Sequence, residues 1–130
     1  MRTLRLLGNF VILCVATIAG SFAASAQVPA GRTITIVVPF SPGSGADGVA
    51  RLFAIHLRER LNQTVIVENR IGASGNIGTM SVAQSPPDGT TILLTANTIV
   101  MNVGLFKSLG YDPIKSFAPI IEVGTGTSRW

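Results

Sequence analysis

Two glycine-rich loops, each directly behind a short β-branched apolar run, constrain the fold of this chain more than any other feature. The first, Pro39-Phe40-Ser41-Pro42-Gly43-Ser44-Gly45-Ala46-Asp47, follows Ile34-Thr35-Ile36-Val37-Val38. The second, Asn69-Arg70-Ile71-Gly72-Ala73-Ser74-Gly75-Asn76, follows Val65-Ile66-Val67. A strand, glycine loop and helix in succession aim the N–H groups of the helix N-terminus at a point above the sheet, which suits an anion. Two such units side by side predict a small anionic ligand held mostly by main chain.

The rest of the pattern fits an α/β layer. The run at 34–38 is nearly all apolar, as a buried parallel strand requires. Residues 47–61 read as a helix, with Val49, Leu52, Phe53, Leu57 and Leu61 as its apolar stripe. A second strand is expected at 64–68 and a short helix at 76–84, capped by Ser74 or Asn76. Ser85-Pro86-Pro87-Asp88-Gly89 stops that helix. A third strand follows at 90–95, a short helix at 99–106, a turn at Tyr111-Asp112-Pro113 and a fourth strand at 118–123. Strands and helices alternating in this way predict a parallel sheet with right-handed crossovers.

The N-terminus is a separate unit. Met1-Arg2-Thr3-Leu4-Arg5 is basic, residues 6–19 are mostly apolar, and Ala24-Ser25-Ala26 is a small-x-small site, which together read as a secretory signal peptide over 1–26. An uncleaved anchor is the alternative, since residues 6–26 nearly match a bilayer span; the cleavage site favours removal. Leu13 before Cys14 is too large for a lipoprotein site. Cleavage removes Cys14, the only cysteine, so the exported domain is expected without disulfide or thiolate chemistry, as suits a bacterial periplasm. It also removes Arg2 and Arg5, lowering the net charge from +4 to +2, with no basic patch for nucleic acid or membrane.

Gly43-Ser44-Gly45-Ala46-Asp47-Gly48 matches G-x-G-x-x-G, and Glu68 lies twenty residues beyond Gly48, the spacing of a dinucleotide fingerprint. Three features oppose that reading: Pro39-Phe40-Ser41-Pro42 separates the strand from the first glycine, export leads away from nicotinamide cofactors, and the second glycine loop has no part in such a site. An oxidoreductase fragment is therefore the alternative, and no cofactor is expected. The favoured reading is a carboxylate-receiving site. Its candidate ligand-binding residues are Phe40, Ser41, Pro42, Gly43, Ser44, Gly45 and Asp47 from the first loop, Ala73, Ser74, Gly75 and Asn76 from the second, and Asn97 and Thr98 at the third strand tip. A carboxylate at Asp47 would repel an anion. Capping the helix or fixing the loop is its expected work, with a ligand ammonium or an ordered water as other partners. His56, mid-helix with only Glu59 at helical spacing, reads as a flank residue rather than a base, and one histidine with scattered carboxylates closes no metal site.

At this point four linked stretches carry a resemblance: ITIVVPFSPGSGAD (34–47), VIVENRIGASGNIG (65–78), PDGTTILL (87–94) and LFKSLGYDPIKSFAPI (105–120). In this order the chain resembles the periplasmic substrate-binding receptors of tripartite tricarboxylate transporters, the Bug family. Ser44, Ile71, Ser74 and Ser116 depart from that pattern, where glycine, proline, glycine and an acidic residue are usual. The resemblance implies a Venus-flytrap solute-binding fold of two α/β lobes, a small carboxylate ligand and membrane permease subunits as partners. On that basis 27–123 is expected to be an incomplete first lobe, 124–130 a truncated tail, and the chain an N-terminal fragment that alone binds carboxylates weakly or not at all.

Overall fold

The computed structural model describes residues 31–125. Strand β1 (Ile34–Val38) leads into helix α1 (Gly45–Leu61), then strand β2 (Val65–Asn69), a tight turn at Ala73–Gly75, helix α2 (Asn76–Ala83), strand β3 (Thr91–Leu93) and helix α3 (Thr98–Leu105). The sheet order is β2-β1-β3, all parallel, with Ile34 beside Val65 and Ile36 beside both Val67 and Ile92. The first strand is therefore central. The connection through α1 leads to one side of it, and the connection through α2 leads across to the other.

Burial explains why β1 is the apolar run. Ile34, Ile36 and Val38 pack on one face with Ala50 and Ala54 of α1 and Val65 of β2, and Val37 on the opposite face is equally buried. Helix α2 packs against β1 and β3. A strand covered on both faces has no use for alternation, and each such aliphatic side chain contributes about 1.5–3 kcal/mol.

Two expectations need correction. Helix α1 buries Ala50 and Ala54, with Ala46, Phe53 and Leu57 partly covered, while Leu52 and Leu61 are exposed. Small residues one turn apart let the helix approach the sheet, so alanines rather than the bulkier leucines set the contact stripe. The expected fourth strand is also not formed. Residues 118–123 pair with no strand among the described residues, and Ile120 and Ile121 are exposed. A β-branched sequence makes a strand only where an edge receives its ladder.

The turns are built as their residues dictate. Asp88 accepts from the backbone N–H and hydroxyl of Thr90 and pairs with Arg32 at 2.6 Å. Asp112 Oδ1 accepts from the N–H groups of Ile114 and Lys115, and Ser116 Oγ accepts from Asp112 N–H, closing the turn after Tyr111. At the outer edge of β2, the Arg58 guanidinium donates to the Val65 carbonyl, covering a group that an open sheet edge would otherwise present.

Candidate functional site

The loops expected to act together do meet, at the carboxyl ends of the three parallel strands. Arg70 N–H donates to the Val38 carbonyl at 3.0 Å, and Leu94 N–H donates to the Val37 carbonyl at 3.0 Å. The chain thus leaves β2, β1 and β3 at one level. Open α/β sheets place ligands in such a crevice, where neighbouring connections diverge.

The first loop is held by a buried carboxylate. Ser44 is the N-cap of α1, and its Oγ accepts from Asp47 N–H at 3.3 Å. In return Asp47 Oδ2 accepts from Gly43 N–H at 2.9 Å, a reciprocal arrangement like a capping box. Arg51 Nε reaches the same Oδ2 at 2.9 Å, and Asn69 Nδ2 reaches Oδ1 at 2.9 Å and the Phe40 carbonyl at 3.1 Å. Asp47 is only 3% exposed. The Arg51 hydrogen bond, then those from Gly43 and Asn69, hold its carboxyl well below the usual carboxylate range. The residue shapes the loop with its charge compensated, and the geometry favours that role over contact with a ligand ammonium. Gly45 and Ala46 open α1, so their N–H groups have no acceptor within the helix. Gly43 sits at φ 80°, where glycine turns the chain toward the cap without strain.

The second loop is left-handed throughout. Gly72, Ala73, Ser74 and Gly75 have φ of 134°, 47°, 55° and 88°. Gly75 N–H closes onto the Gly72 carbonyl at 2.9 Å, and Asn76 N–H bonds the Ala73 carbonyl. Ala73 and Ser74 are exposed at the tip, whereas Gly75 and Asn76 are buried. The two loops touch through Pro39: a Cβ on Gly75 would lie 3.4 Å from Pro39 Cβ, and one on Gly78 would lie 2.9 Å from it and 2.7 Å from the Arg70 carbonyl. Glu68 and Arg70 pair at 2.8 Å beside this junction, which lowers the Glu68 carboxyl's pKa and raises the Arg70 guanidinium's.

Neither Ser74 nor Asn76 caps α2; its N-cap is Gly75, with no side-chain hydrogen bond. Asn76 Oδ1 instead accepts from Asn102 Nδ2 at 2.8 Å and from the Tyr111 hydroxyl at 2.8 Å. Asn102 Nδ2 also donates to the Ser74 carbonyl at 3.0 Å. Asn76 is thus committed inward, because the left-handed loop already closes the helix start and the buried Asn102 needs an acceptor. Asn97, at the start of α3, is exposed and caps with no side-chain bond, while Thr98 is half-buried. Phe40 is half-buried against the α1-side core, and Ser41 and Pro42 are exposed.

Three positioning residues, Asn69, Arg51 and Asn102, did not stand out in the sequence. Asn102 left a signal, a lone amide inside the otherwise apolar Thr98–Leu105 helix. Arg51 left one too, standing four residues after Asp47 on the same helix, whereas Asn69 left none, since its partners are defined only once β2 lies beside β1. His56 is exposed, 3.9 Å from Glu59. Among the described residues no His, Cys, Asp or Glu cluster suits a metal ion.

The geometry departs from a dinucleotide site. Strand β1 ends at Val38, well before Gly43, and a Cβ on Gly48 would meet nothing within 4 Å, so the third glycine does not serve close helix–strand packing.

Comparison with known proteins agrees with this geometry. Residues 49–128 match the model of the tripartite tricarboxylate transporter family receptor, TctC. Over 125 residues the chain is 38% identical to Protein BugT of Bordetella pertussis, covering 95% of this chain and 37% of that one. The solved periplasmic binding protein BugD superimposes with a TM-score of 0.67 at 46% identity, covering 71% of this chain and 30% of that one. MatC from Rhodopseudomonas palustris, solved with bound malate, gives 0.61 at 41% identity, covering 68% and 30%. The chain thus spans about a third of the length of these relatives.

Proposed function

Because the chain belongs to the tripartite tricarboxylate transporter receptor family, the Bug proteins, we propose that it captures a small carboxylate in the crevice above its strands. Export by cleavage after Ala26 would deliver it to the periplasm, and membrane permease subunits would take over the captured ligand. The observation that carries this reading is the convergence of two main-chain loops at one level of the sheet. One is locked by Asp47 so that the N–H groups of Gly45 and Ala46 stay available; the other is held by Asn102 with Ala73 and Ser74 at its exposed tip. A carboxylate seated there meets helix N-terminal dipole and N–H donors, with water bridging where the reach is long. The capture is non-covalent. The malate in MatC is a ligand of the proposed chemical class.

The test is a titration of the isotopically labelled chain with sodium malate to millimolar concentration at constant ionic strength, followed by amide NMR. Resonances of Gly45, Ala46, Ala73 and Ser74 are expected to move together and to saturate. Shifts confined to other surfaces, or none beyond a sodium chloride control, would overturn the reading.

A further inference from the structure

The second loop holds a conformation that its own residues do not favour. Ala73 and Ser74 stand in succession at φ 47° and 55°, where a side chain crowds the following carbonyl. Each such residue costs free energy comparable to a hydrogen bond, so the loop keeps this form only where its surroundings offset that cost. Bonds within the loop close Gly75 onto Gly72 and Asn76 onto Ala73. Further ties reach it from α3 and the turn that follows. Asn102 Nδ2 donates to the Ser74 carbonyl and to Asn76 Oδ1, and the Tyr111 hydroxyl donates to the same Oδ1 at 2.8 Å. Tyr111 is itself held in place. Its ring meets Phe117 edge-on at 5.8 Å, and Asp112 and Ser116 close the turn behind it. Gly110, at φ 72°, fits against Met80, where a Cβ would lie 2.9 Å from the sulfur.

We propose that Tyr111 is a positioning residue of the carboxylate site: without touching the ligand, it keeps the second loop in the left-handed form that presents the N–H groups of Ala73 and Ser74. This rests on the carboxylate reading above and adds to it a control point 35 residues beyond Asn76. The hydroxyl shares Asn76 Oδ1 with Asn102, so it steadies the residue through which α3 grips the loop. Strain and ties of similar size leave the binding form only modestly favoured. A ligand that needs that form binds more weakly in proportion to the fraction lost. The tyrosine therefore acts on affinity as well as on stability.

Tyr111→Phe keeps the ring against Phe117 and removes only the hydroxyl. The malate titration is run well below the melting temperature, where a merely structural loss leaves the dissociation constant unchanged. Tyr111→Phe is expected to bind malate about fivefold more weakly, the worth of one hydrogen bond. Its ligand-free spectrum is expected to show exchange broadening at the Ala73 and Ser74 amides that wild type lacks. Tyr111→Phe combined with Ser74→Gly is expected to recover wild-type affinity, because glycine removes the strain at one of the two positions and offsets the lost tie. Unchanged malate affinity in Tyr111→Phe would overturn the proposal while leaving the carboxylate reading intact, and so would a double variant as weak as Tyr111→Phe. If wild type itself gives no saturable malate response, the carboxylate reading falls and the positioning role falls with it.

Discussion

The side-chain amide of Asn69, the last residue of β2, donates to Asp47 Oδ1 at 2.9 Å and so fastens the end of one strand to the helix that begins beyond its neighbour. The same nitrogen reaches the Phe40 carbonyl at 3.1 Å. One amide thus fixes both the entry and the exit of the first glycine loop. Asn69→Ala is expected to lose about 2 kcal/mol, the worth of hydrogen bonds that include a charged acceptor, with the loss read from urea unfolding. A variant as stable as wild type would show that water replaces the amide without cost.

Acid should loosen the same joint. Asp47 has its pKa lowered in the fold, chiefly by Arg51 and then by Gly43 N–H and Asn69, and Glu68, Asp88 and Asp112 are lowered too. A group with a depressed folded pKa adds stability that is fully present above its unfolded value and is lost as pH falls toward the folded one. Melting temperature is therefore expected to be flat with respect to these groups above about pH 5 and to drop below about pH 4. Asp47→Asn should start lower at neutral pH and show a shallower acid decline. An equally steep decline in that variant would assign the acid sensitivity to the other carboxylates.

Ser74 occupies a left-handed conformation, at φ 55° and ψ 35°, that favours glycine. Ser74→Gly is expected to stabilise the chain by about 1 kcal/mol, since relief of the left-handed backbone outweighs the added freedom of the unfolded glycine. Chemical denaturation provides the check. A loss of stability would mean that the serine side chain itself holds the loop.

Two helical glycines should respond in opposite directions to alanine. At Gly78 the new Cβ would sit 2.7 Å from the Arg70 carbonyl, a backbone atom that cannot step aside, and 2.9 Å from Pro39. Gly78→Ala should cost about 2–3 kcal/mol by forcing the two loops apart. At Gly48 the Cβ would meet nothing within 4 Å, so Gly48→Ala should stabilise α1 by about 0.5–1 kcal/mol through helix propensity. Thermal melts of the pair give the comparison, and destabilisation by Gly48→Ala would contradict the open surroundings of that site.

The Asn76, Asn102 and Tyr111 triad holds α3 against the second loop. Tyr111→Phe removes one of the two donors to Asn76 Oδ1 and should cost about 1 kcal/mol. Asn102→Ala leaves both Asn76 Oδ1 and the Ser74 carbonyl short of a donor and should cost more, about 2–3 kcal/mol. Measuring the double variant would test the coupling: a shared acceptor predicts that the two losses do not add.

Much of this fold is local information. The β-branched run at Ile34–Val38, the glycines after it and the repeat of that pattern at Val65–Asn69 specify strands, sharp turns and helix starts, because each depends on the dihedral preferences of a few neighbouring residues. Local preferences of this kind were enough to specify the α/β class, the first three strands, the three helices and the two main-chain loops. What most of the polar side chains do depends instead on long-range packing. Asp47 and Arg51 pair along one helix, but Asn69, 22 residues beyond Asp47, reaches it only because β2 lies beside β1. Asn76 turned inward because Asn102 and Tyr111 arrive from a later helix and turn. The alanine stripe of α1 and the unformed strand at 118–123 belong to the same class. A helix buries whichever face the sheet can approach most closely, and a strand exists only where an edge receives it, so neither could be read from the segment alone.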